Sequence, residues 1–355
     1  MRGLKVVAAA GAVLLCCGAG KADPQLRMVL IDMEGGGGAL YVTPEGKSLL
    51  IDAGWTAGMP DEAPAVPTSA SRVLKAAKAL GVRRIDYLIV SHFHADHVGG
   101  VAELLRSMPV GTIIDYGASL EPKRPGSNPR VTPSDLFKEY LPMVAGRRRV
   151  LAKPGDHFRI GSMRIDIVNA AGRVMAGTLP GGGQRLASCA TMADRGGPAT
   201  NENDASIGVV ASFGKARILN LSDTTWKIEK QLVCPANRLG RVDLMVVSHH
   251  GAALSNSPQL YDAVRPRVAL LGNGETKGGD RQVLETLAAA PSGPALWQLH
   301  SATRSPELDV PVERIANPAG RPDGAYGFEA LVSASGAIRV VNQRSGVGVT
   351  YKAER

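Results

Sequence analysis

Tyr87-Leu88-Ile89-Val90-Ser91-His92-Phe93-His94-Ala95-Asp96-His97 is the stretch on which the reading of this chain turns. The apolar run Tyr87–Val90 has the length and composition of a buried strand. It breaks off into three imidazoles and a carboxylate within the six residues His92–His97. Such a group is costly to bury unless it binds something. Neutral imidazole with carboxylate is the donor set of zinc and similar divalent ions. In an extended turn His92 and His94 point to one side, while Asp96 and His97 serve a neighbouring point. One loop thus furnishes two adjacent metal positions.

Working outward, Leu26–Ile31 reads as a strand, Gly35–Gly38 as a turn and Ala39–Thr43 as the returning strand; Pro44–Lys47 then turns into Ser48–Ile51. Gly46-Lys47-Ser48 is not a phosphate loop, because Tyr41 stands where the first glycine belongs and a strand follows. Ser69–Leu80 places Val73, Ala76, Ala77 and Leu80 on one face ahead of Gly81, which predicts an amphipathic helix. Val101–Ser107 reads as a helix and Thr112–Ile114 as a strand. Residues 117–150 and 171–205, rich in Pro, Gly and Arg, read as inserted surface loops around a hairpin at Pro154–Ala170. The basic run Arg147–Arg149 lacks interleaved aromatics and reads as a solvated loop.

The second half repeats the pattern. Ser206–Ser212 and Ala216–Leu221 predict a hairpin ending at Ser222-Asp223, and Trp226–Val233 a helix. The strand Val242–Val247 then ends in Ser248-His249-His250-Gly251. Ser257–Val264 (helix), Val268–Leu271 (strand), a helix near Arg281–Ala288 and strands around Tyr326–Ser333 and Ala337–Asn342 complete the chain. Strands alternating with helices predict an α/β sandwich with helices outside. Two halves that each deliver metal-type residues at strand ends predict one pseudo-symmetric domain over residues 23–355.

On these residues the chain resembles the metallo-β-lactamase superfamily, whose signature is a His-x-His-x-Asp-His loop. Leu50-Ile51-Asp52-Ala53-Gly54 is similar to the family's strand with an Asp that supports that loop. Asp223 after Ile218–Leu221 is similar to its bridging carboxylate, and His249-His250-Gly251 to its last histidine motif. With Asn203-Asp204-Ala205-Ser206 ahead of the next strands, the closest resemblance is to the soluble hydrolase domain of ComEC-type competence proteins. Their exported relatives, including phosphorylcholine esterases, are also similar. The resemblance covers most of residues 26–290.

It implies an αββα sandwich and a metal-dependent hydrolase with two zinc ions, manganese being the alternative. His92, His94 and Asp223 would hold metal one; Asp96, His97, Asp223 and one of His249 and His250 would hold metal two. A water between ions roughly 3.5–4 Å apart would be the nucleophile, its pKa brought to roughly 7. The histidine of the pair that is not a ligand would stabilise or protonate the leaving oxygen. Asp96, Asp223 and His250 are thus the expected catalytic groups, Asp52 orients the imidazoles, and Asn203, Asp204 and His300 are candidates for the surrounding pocket. Trp55 and Trp226 lie near the motifs, as cleft wall or as simple packing.

The chain departs from the family at one point. Many members carry a Gly-His element after the hairpin that follows the first half, as a third ligand to metal one. Here Pro154–Ala170 runs into Asn169-Ala170-Ala171-Gly172, without a histidine, and His157 suits a turn or surface position. Asn203, Asp204 or water would fill the gap, or the enzyme would be mainly mononuclear.

The chain has 355 residues, 44% hydrophobic and 21% charged, a composition that excludes collagen-like, coiled-coil and disordered classes. Met1-Arg2-Gly3-Leu4-Lys5, the apolar Val6–Cys17 and small residues up to Ala22 read as a secretory signal peptide. No further run has spanning length, so no transmembrane anchor is expected. Export leaves Cys189 and Cys234 in an oxidising compartment, as a disulfide or as two unrelated thiols. Of the formal charge of +9, Arg2, Lys5 and Lys21 lie in the signal segment, which has no acid, leaving +6 for residues 23–355. That balance favours an anionic substrate, small or polymeric, nucleic acid included. The reaction expected first is hydrolysis of a phosphodiester or phosphoester. A β-lactam, lactone or other ester is the alternative bond, and a non-catalytic envelope or nucleic-acid binding module with a structural metal is the alternative class.

Overall fold

The computed structural model describes residues 23–56, 67–121, 132–193, 201–321 and 324–353; residues 1–22, expected as a signal peptide, lie outside them. The first half runs β1 (Gln25–Leu30), β2 (Ala39–Val42), β3 (Ser48–Ile51), α1 (Ser69–Ala79) and β4 (Ile85–Ile89). It continues through the single turn α2 (Ala95–Val98), α3 (Val101–Ser107), β5 (Val110–Asp115), α4 (Pro133–Val144) and β6 (Arg148–Leu151). The second half runs β7 (His157–Ile160), β8 (Met163–Ala170), β9 (Arg173–Val174), β10 (Gly208–Phe213), β11 (Ala216–Asn220) and α5 (Trp226–Val233). Then come β12 (Leu244–Val246), α6 (Pro258–Val264), β13 (Val268–Leu271), α7 (Arg281–Ala289), β14 (Ala295–His300) and β15 (Ile315–Asn317). The chain closes with β16 (Phe328–Ser333), β17 (Ile338–Asn342) and β18 (Gly348–Tyr351).

Two sheets result, ordered β18-β17-β16-β1-β2-β3-β4-β5-β6 and β15-β14-β13-β12-β11-β10-β8-β7, with β9 beside β8. Each is antiparallel at one end and parallel at the other: β3 to β6 in the first, β11 to β15 in the second. Parallel strands point their carboxyl ends the same way, so the loops after β3, β4, β11, β12, β13 and β14 can converge.

Strand alternation builds the layers. Ile218, Leu244, Val268 and Leu270 join the core that also holds Leu26, Leu40, Leu50 and Leu88 of the first sheet. Their neighbours Leu219, Met245, Ala269 and Leu271 face the other way, onto Ile228, Leu232, Leu260 and Leu284 of α5, α6 and α7. The sheets therefore meet face to face with helices outside, an αββα sandwich. No helix among the described residues is long and apolar enough to cross a membrane.

Residues 117–150 depart from the expected loop. Thr132 caps α4 by accepting from Asp135 N at 3.3 Å, Pro133 stands in its first turn, and Leu136, Tyr140 and Val144 form its buried face. The high Pro and Gly content of the surrounding residues hid this face. The basic run Arg147–Arg149 is no simple solvated loop either, because Arg148–Leu151 is an edge strand and Arg149 Nε lies 2.6 Å from Asp115 Oδ2. In the second expected loop, Cys189 forms a disulfide with Cys234, their Cα atoms 5.7 Å apart, which pins the chain around Cys189 to the end of α5.

Candidate metal centre

The histidine loop is held by groups that are not ligands. Phe93 is fully buried against Tyr116, Phe137 and Tyr140, with ring centroids 4.8–5.3 Å away. Its N–H donates to Glu202 Oε1 at 2.9 Å. Glu202, fully buried, also accepts from the Tyr116 hydroxyl, from Ser119 Oγ at 2.7 Å and from Leu120 N at 3.2 Å. Asp52, in the left-handed region at φ 62°, accepts from Ser91 N and Ser91 Oγ, both at 2.7 Å, and stands 2.8 Å from His97 Nδ1. A carboxylate there fixes the proton on Nδ1 and turns the Nε2 lone pair inward.

The second half delivers its groups on strained backbone. Ser222, His249 and His250 have φ of 49°, 53° and 53°. Each such residue costs about 1–3 kcal/mol and persists only when its surroundings over-determine it. Here they do. His249 N donates to Ser222 O at 2.9 Å, tying the two loops together. The side chain of Asn256 accepts from Ser248 N at 3.1 Å and donates to Ser248 O at 2.8 Å. Glu229 anchors Asn256 N and Ser257 N at 2.6 and 2.8 Å.

Asp96, His97, Asp223 and His250, all buried, bring four ligand atoms within 4.8 Å of one another. His97 Nε2 and His250 Nε2 are 3.2 Å apart, and each lies 3.3 Å from Asp96 Oδ2 and from Asp223 Oδ1. His250 Nδ1 stands 3.2 Å from the Gly272 carbonyl, so this ring too carries its proton on Nδ1 and aims a lone pair inward. Two lone pairs and two carboxylate oxygens converging repel one another unless positive charge lies between them. This donor set fits a divalent cation.

The charge states follow. Burial alone would raise Asp96 and Asp223, but Lys277 and His97 beside the first, and His250 and His97 beside the second, hold both carboxyls well below their usual range. Burial alone would lower His97 and His250, yet Asp223, with Asp96 and Asp52 around His97, pulls both upward. Burial keeps His92 and His249 below their ordinary values.

A second, wider constellation lies on the other side of Asp223. His92 Nε2 and His94 Nδ1 are 3.0 Å apart, and Asp223 Oδ2 is 3.9 Å from His92 Nε2 and 3.6 Å from His249 Nε2. His249 Nδ1 stands 3.0 Å from Ser255 Oγ, and the Asn203 side-chain nitrogen lies 3.3 Å from His249 Nε2. Asn203 is buried, and its Oδ1 has no hydrogen-bond partner among the described residues.

Other candidates lie elsewhere. Asp204 accepts from the Thr225 hydroxyl and pairs with Lys227 at 3.5 Å, clamping the start of α5, so it does not fill the gap left by the missing histidine. His300 stands 2.9 Å from Asp32 and 3.5 Å from Glu34, in a buried network with Arg72, which sits 2.7 Å from Asp32. It lines a separate cavity with Glu275, Asn317 and Arg321. Asn169, where the missing histidine would follow the hairpin, donates to Ser206 O at 2.6 Å and Thr224 Oγ1 at 2.9 Å, tying loops together. His157 is exposed at the start of β7. Trp226 donates from Nε1 to Ser255 O at 2.8 Å.

Four features escaped the sequence reading. Gly35–Gly38 is more than a turn: a Cβ on Gly36 would come 2.6 Å from Asp96 O, and one on Gly37 2.5 Å from His97 Nδ1. Lys277, in the loop after β13, pairs with Asp96 Oδ2 and lies 4.5 Å over the Trp55 ring. Glu121 Oε2 approaches His94 Nε2 at 4.0 Å, and Glu202 fixes the loop from beneath. Only Glu202 gave a signal, as the acid directly preceding Asn203-Asp204.

Residues 34–184 match the family model described as the metallo-beta-lactamase superfamily. Recombination protein 2 of Haemophilus influenzae is 26% identical over 242 residues, covering 68% of this chain and 23% of that protein. The chain thus spans less than a quarter of the length of the curated relative it matches. Among solved structures, the metallo-beta-lactamase fold protein YhfI from Bacillus subtilis is similar at TM-score 0.45 and 13% identity, over 78% of this chain and 96% of that one. CmlA, a diiron beta-hydroxylase from Streptomyces venezuelae, is similar at TM-score 0.43 and 16% identity, over 78% and 53%.

Proposed function

This chain belongs to the metallo-β-lactamase superfamily, and from that premise we propose that it is an exported hydrolase of phosphodiesters or phosphoesters holding two divalent cations, zinc first among them. The observation that carries the reading is the split use of one carboxylate. Asp223 Oδ1 faces His97 and His250 at 3.3 Å, while Oδ2 faces His249 at 3.6 Å and His92 at 3.9 Å.

Asp96, His97, Asp223 and His250 would hold one cation, and His92, His94 and Asp223 the other. Divalent cations so held supply Lewis acidity and acidify water when bound. Asp52 keeps the His97 proton on Nδ1, and the Gly272 carbonyl does the same for His250. His249 is then the histidine left for the leaving group. Its Nε2 lies 3.6 Å from Asp223 Oδ2 and 3.3 Å from the Asn203 side-chain nitrogen, so a proton taken up there would face a departing oxygen. Gly36 and Gly37 lie close against Asp96 and His97, and the burial of both carboxylates strengthens the charge interactions at the centre. The net +6 of residues 23–355 supports an anionic substrate, and the basic, apolar start of the chain supports export.

The test is elemental analysis of the purified protein together with turnover of bis(p-nitrophenyl) phosphate and of a chromogenic cephalosporin. Two cations per chain, with the phosphodiester cleaved and the cephalosporin intact, is the expected result. Cephalosporin hydrolysis with the phosphodiester untouched would replace the substrate class. Cation-replete protein inert toward both would leave a binding module.

A further inference from the structure

We propose that Lys277, backed by the Trp55 ring, anchors the anionic oxygen of the substrate beside the cation centre. The inference rests on the phosphoester reading above. Its starting point is that one oxygen has two suitors: Asp96 Oδ2 pairs with Lys277 Nζ, and the same atom lies 3.3 Å from both His97 Nε2 and His250 Nε2. A cation held by those nitrogens uses Asp96 Oδ2 as well. The ammonium then loses the better part of its partner and faces a like charge at close range, where repulsion is strong in a partly desolvated site. An anionic oxygen between the two relieves that repulsion, and a phosphate offers several.

The side chain is built to present its charge there. Its stem packs on Gly35, where a Cβ would come 3.0 Å from Lys277 Cβ and 3.2 Å from Cδ. The Gly274 N–H donates to Lys277 O at 2.9 Å, closing the turn that carries it. The Trp55 face lies 4.5 Å from Nζ, a cation–π contact that survives when Asp96 is taken. Trp55 N donates to Ser69 Oγ at 2.9 Å, which fixes the backbone beneath the ring. The Lys277 side chain is 37% exposed against 8% for Asp96, so the ammonium stands at the mouth and the carboxylate behind it. An arriving anion meets the lysine before the ligands.

The probe is inorganic phosphate titrated calorimetrically into the zinc-loaded full chain, with zinc per chain measured alongside. Lys277→Met is expected to weaken phosphate binding about tenfold, the loss of one charge-assisted hydrogen bond, with zinc content kept. Lys277→Arg is expected to stay within about threefold of the parent, since it keeps the charge and the stacking. Unchanged phosphate affinity in Lys277→Met overturns the anchor. So does a Met variant that loses zinc while its zinc-loaded fraction binds phosphate normally, because the lysine would then serve only Asp96. If phosphate binding depends on Lys277 but the parent cleaves no phosphodiester, the anchor stands and the phosphoester reading falls. Cleavage with a Lys277-independent phosphate affinity does the reverse.

Discussion

The two constellations flanking Asp223 differ in how completely the protein has closed them. On the Oδ1 side, Asp96, His97, Asp223 and His250 already lie within 4.8 Å of one another, with the tautomers of both imidazoles set by Asp52 and the Gly272 carbonyl. On the Oδ2 side, His92 and His94 converge at 3.0 Å, but the carboxylate stays 3.9 Å from His92. The His94 side chain is 28% exposed, against 1% for His97. The hairpin that would bring a third histidine to this side ends in Asn169, whose amide is committed to Ser206 and Thr224. Closure costs buried charge, and the chain concentrates that on the side of Asp96, His97 and His250. We therefore expect the two positions to differ in affinity, the closed one filling first.

The largest break in that comparison is Asp223→Ala, which removes the group both sides share. Zinc should fall from two per chain to at most one, and turnover by at least about 100-fold, since losing mere supporting groups already costs roughly 10–100-fold. Two zinc ions retained would show that Asp223 is not shared. Next come His250→Ala and His249→Ala, residues adjacent in sequence but on opposite sides. The first should empty the high-affinity position in a competitive chelator titration. The second should leave that position intact while lowering turnover by roughly 100-fold, the scale of a lost proton donor. Equal zinc loss in both variants would erase the distinction.

Smaller effects sharpen it further. Asp52→Asn should weaken the closed position about 10–100-fold through His97, whereas Glu202→Gln acts on the open side through the Phe93 N–H between His92 and His94. The latter should cost about 1–3 kcal/mol of stability for a buried group losing part of its hydrogen bonding, read by denaturant unfolding, with the high-affinity zinc retained. Smallest at the centre should be reduction of Cys189–Cys234. The bridge joins residues 45 apart, and its loss should lower stability by up to about 4 kcal/mol while zinc content stays the same. A loss of zinc on reduction would mean that residues 171–193 reach the site after all.

Legibility divided along the same line. Ser48–Ile51, Val101–Ser107, Trp226–Val233 and Val268–Leu271 are legible in the sequence with the bounds they have in the structure. The helix at Pro133–Val144 was not, because Pro and Gly in residues 117–150 mask a face of only three large residues, Leu136, Tyr140 and Val144. Lys277 was illegible for a different cause: it is an ordinary lysine in a glycine-rich loop until folding sets it against Asp96, 181 positions away.

By itself, the sequence determined what could be written locally. The strand that ends in His92–His97, the apolar alternation of the second half and the paired His249-His250 are short-range patterns whose chemistry does not wait for the fold. Tertiary structure alone decided the pairing of groups across the two sheets. It assigned His250 rather than His249 to the closed group, set Asp204 and His300 apart from it, and made Gly35–Gly38 a wall. The physical reason is that convergence depends on backbone direction at strand ends. Two consecutive left-handed residues at His249 and His250 point adjacent side chains to opposite sides of one carboxylate, and long-range contacts through Ser222, Asn256 and Glu229 hold them so.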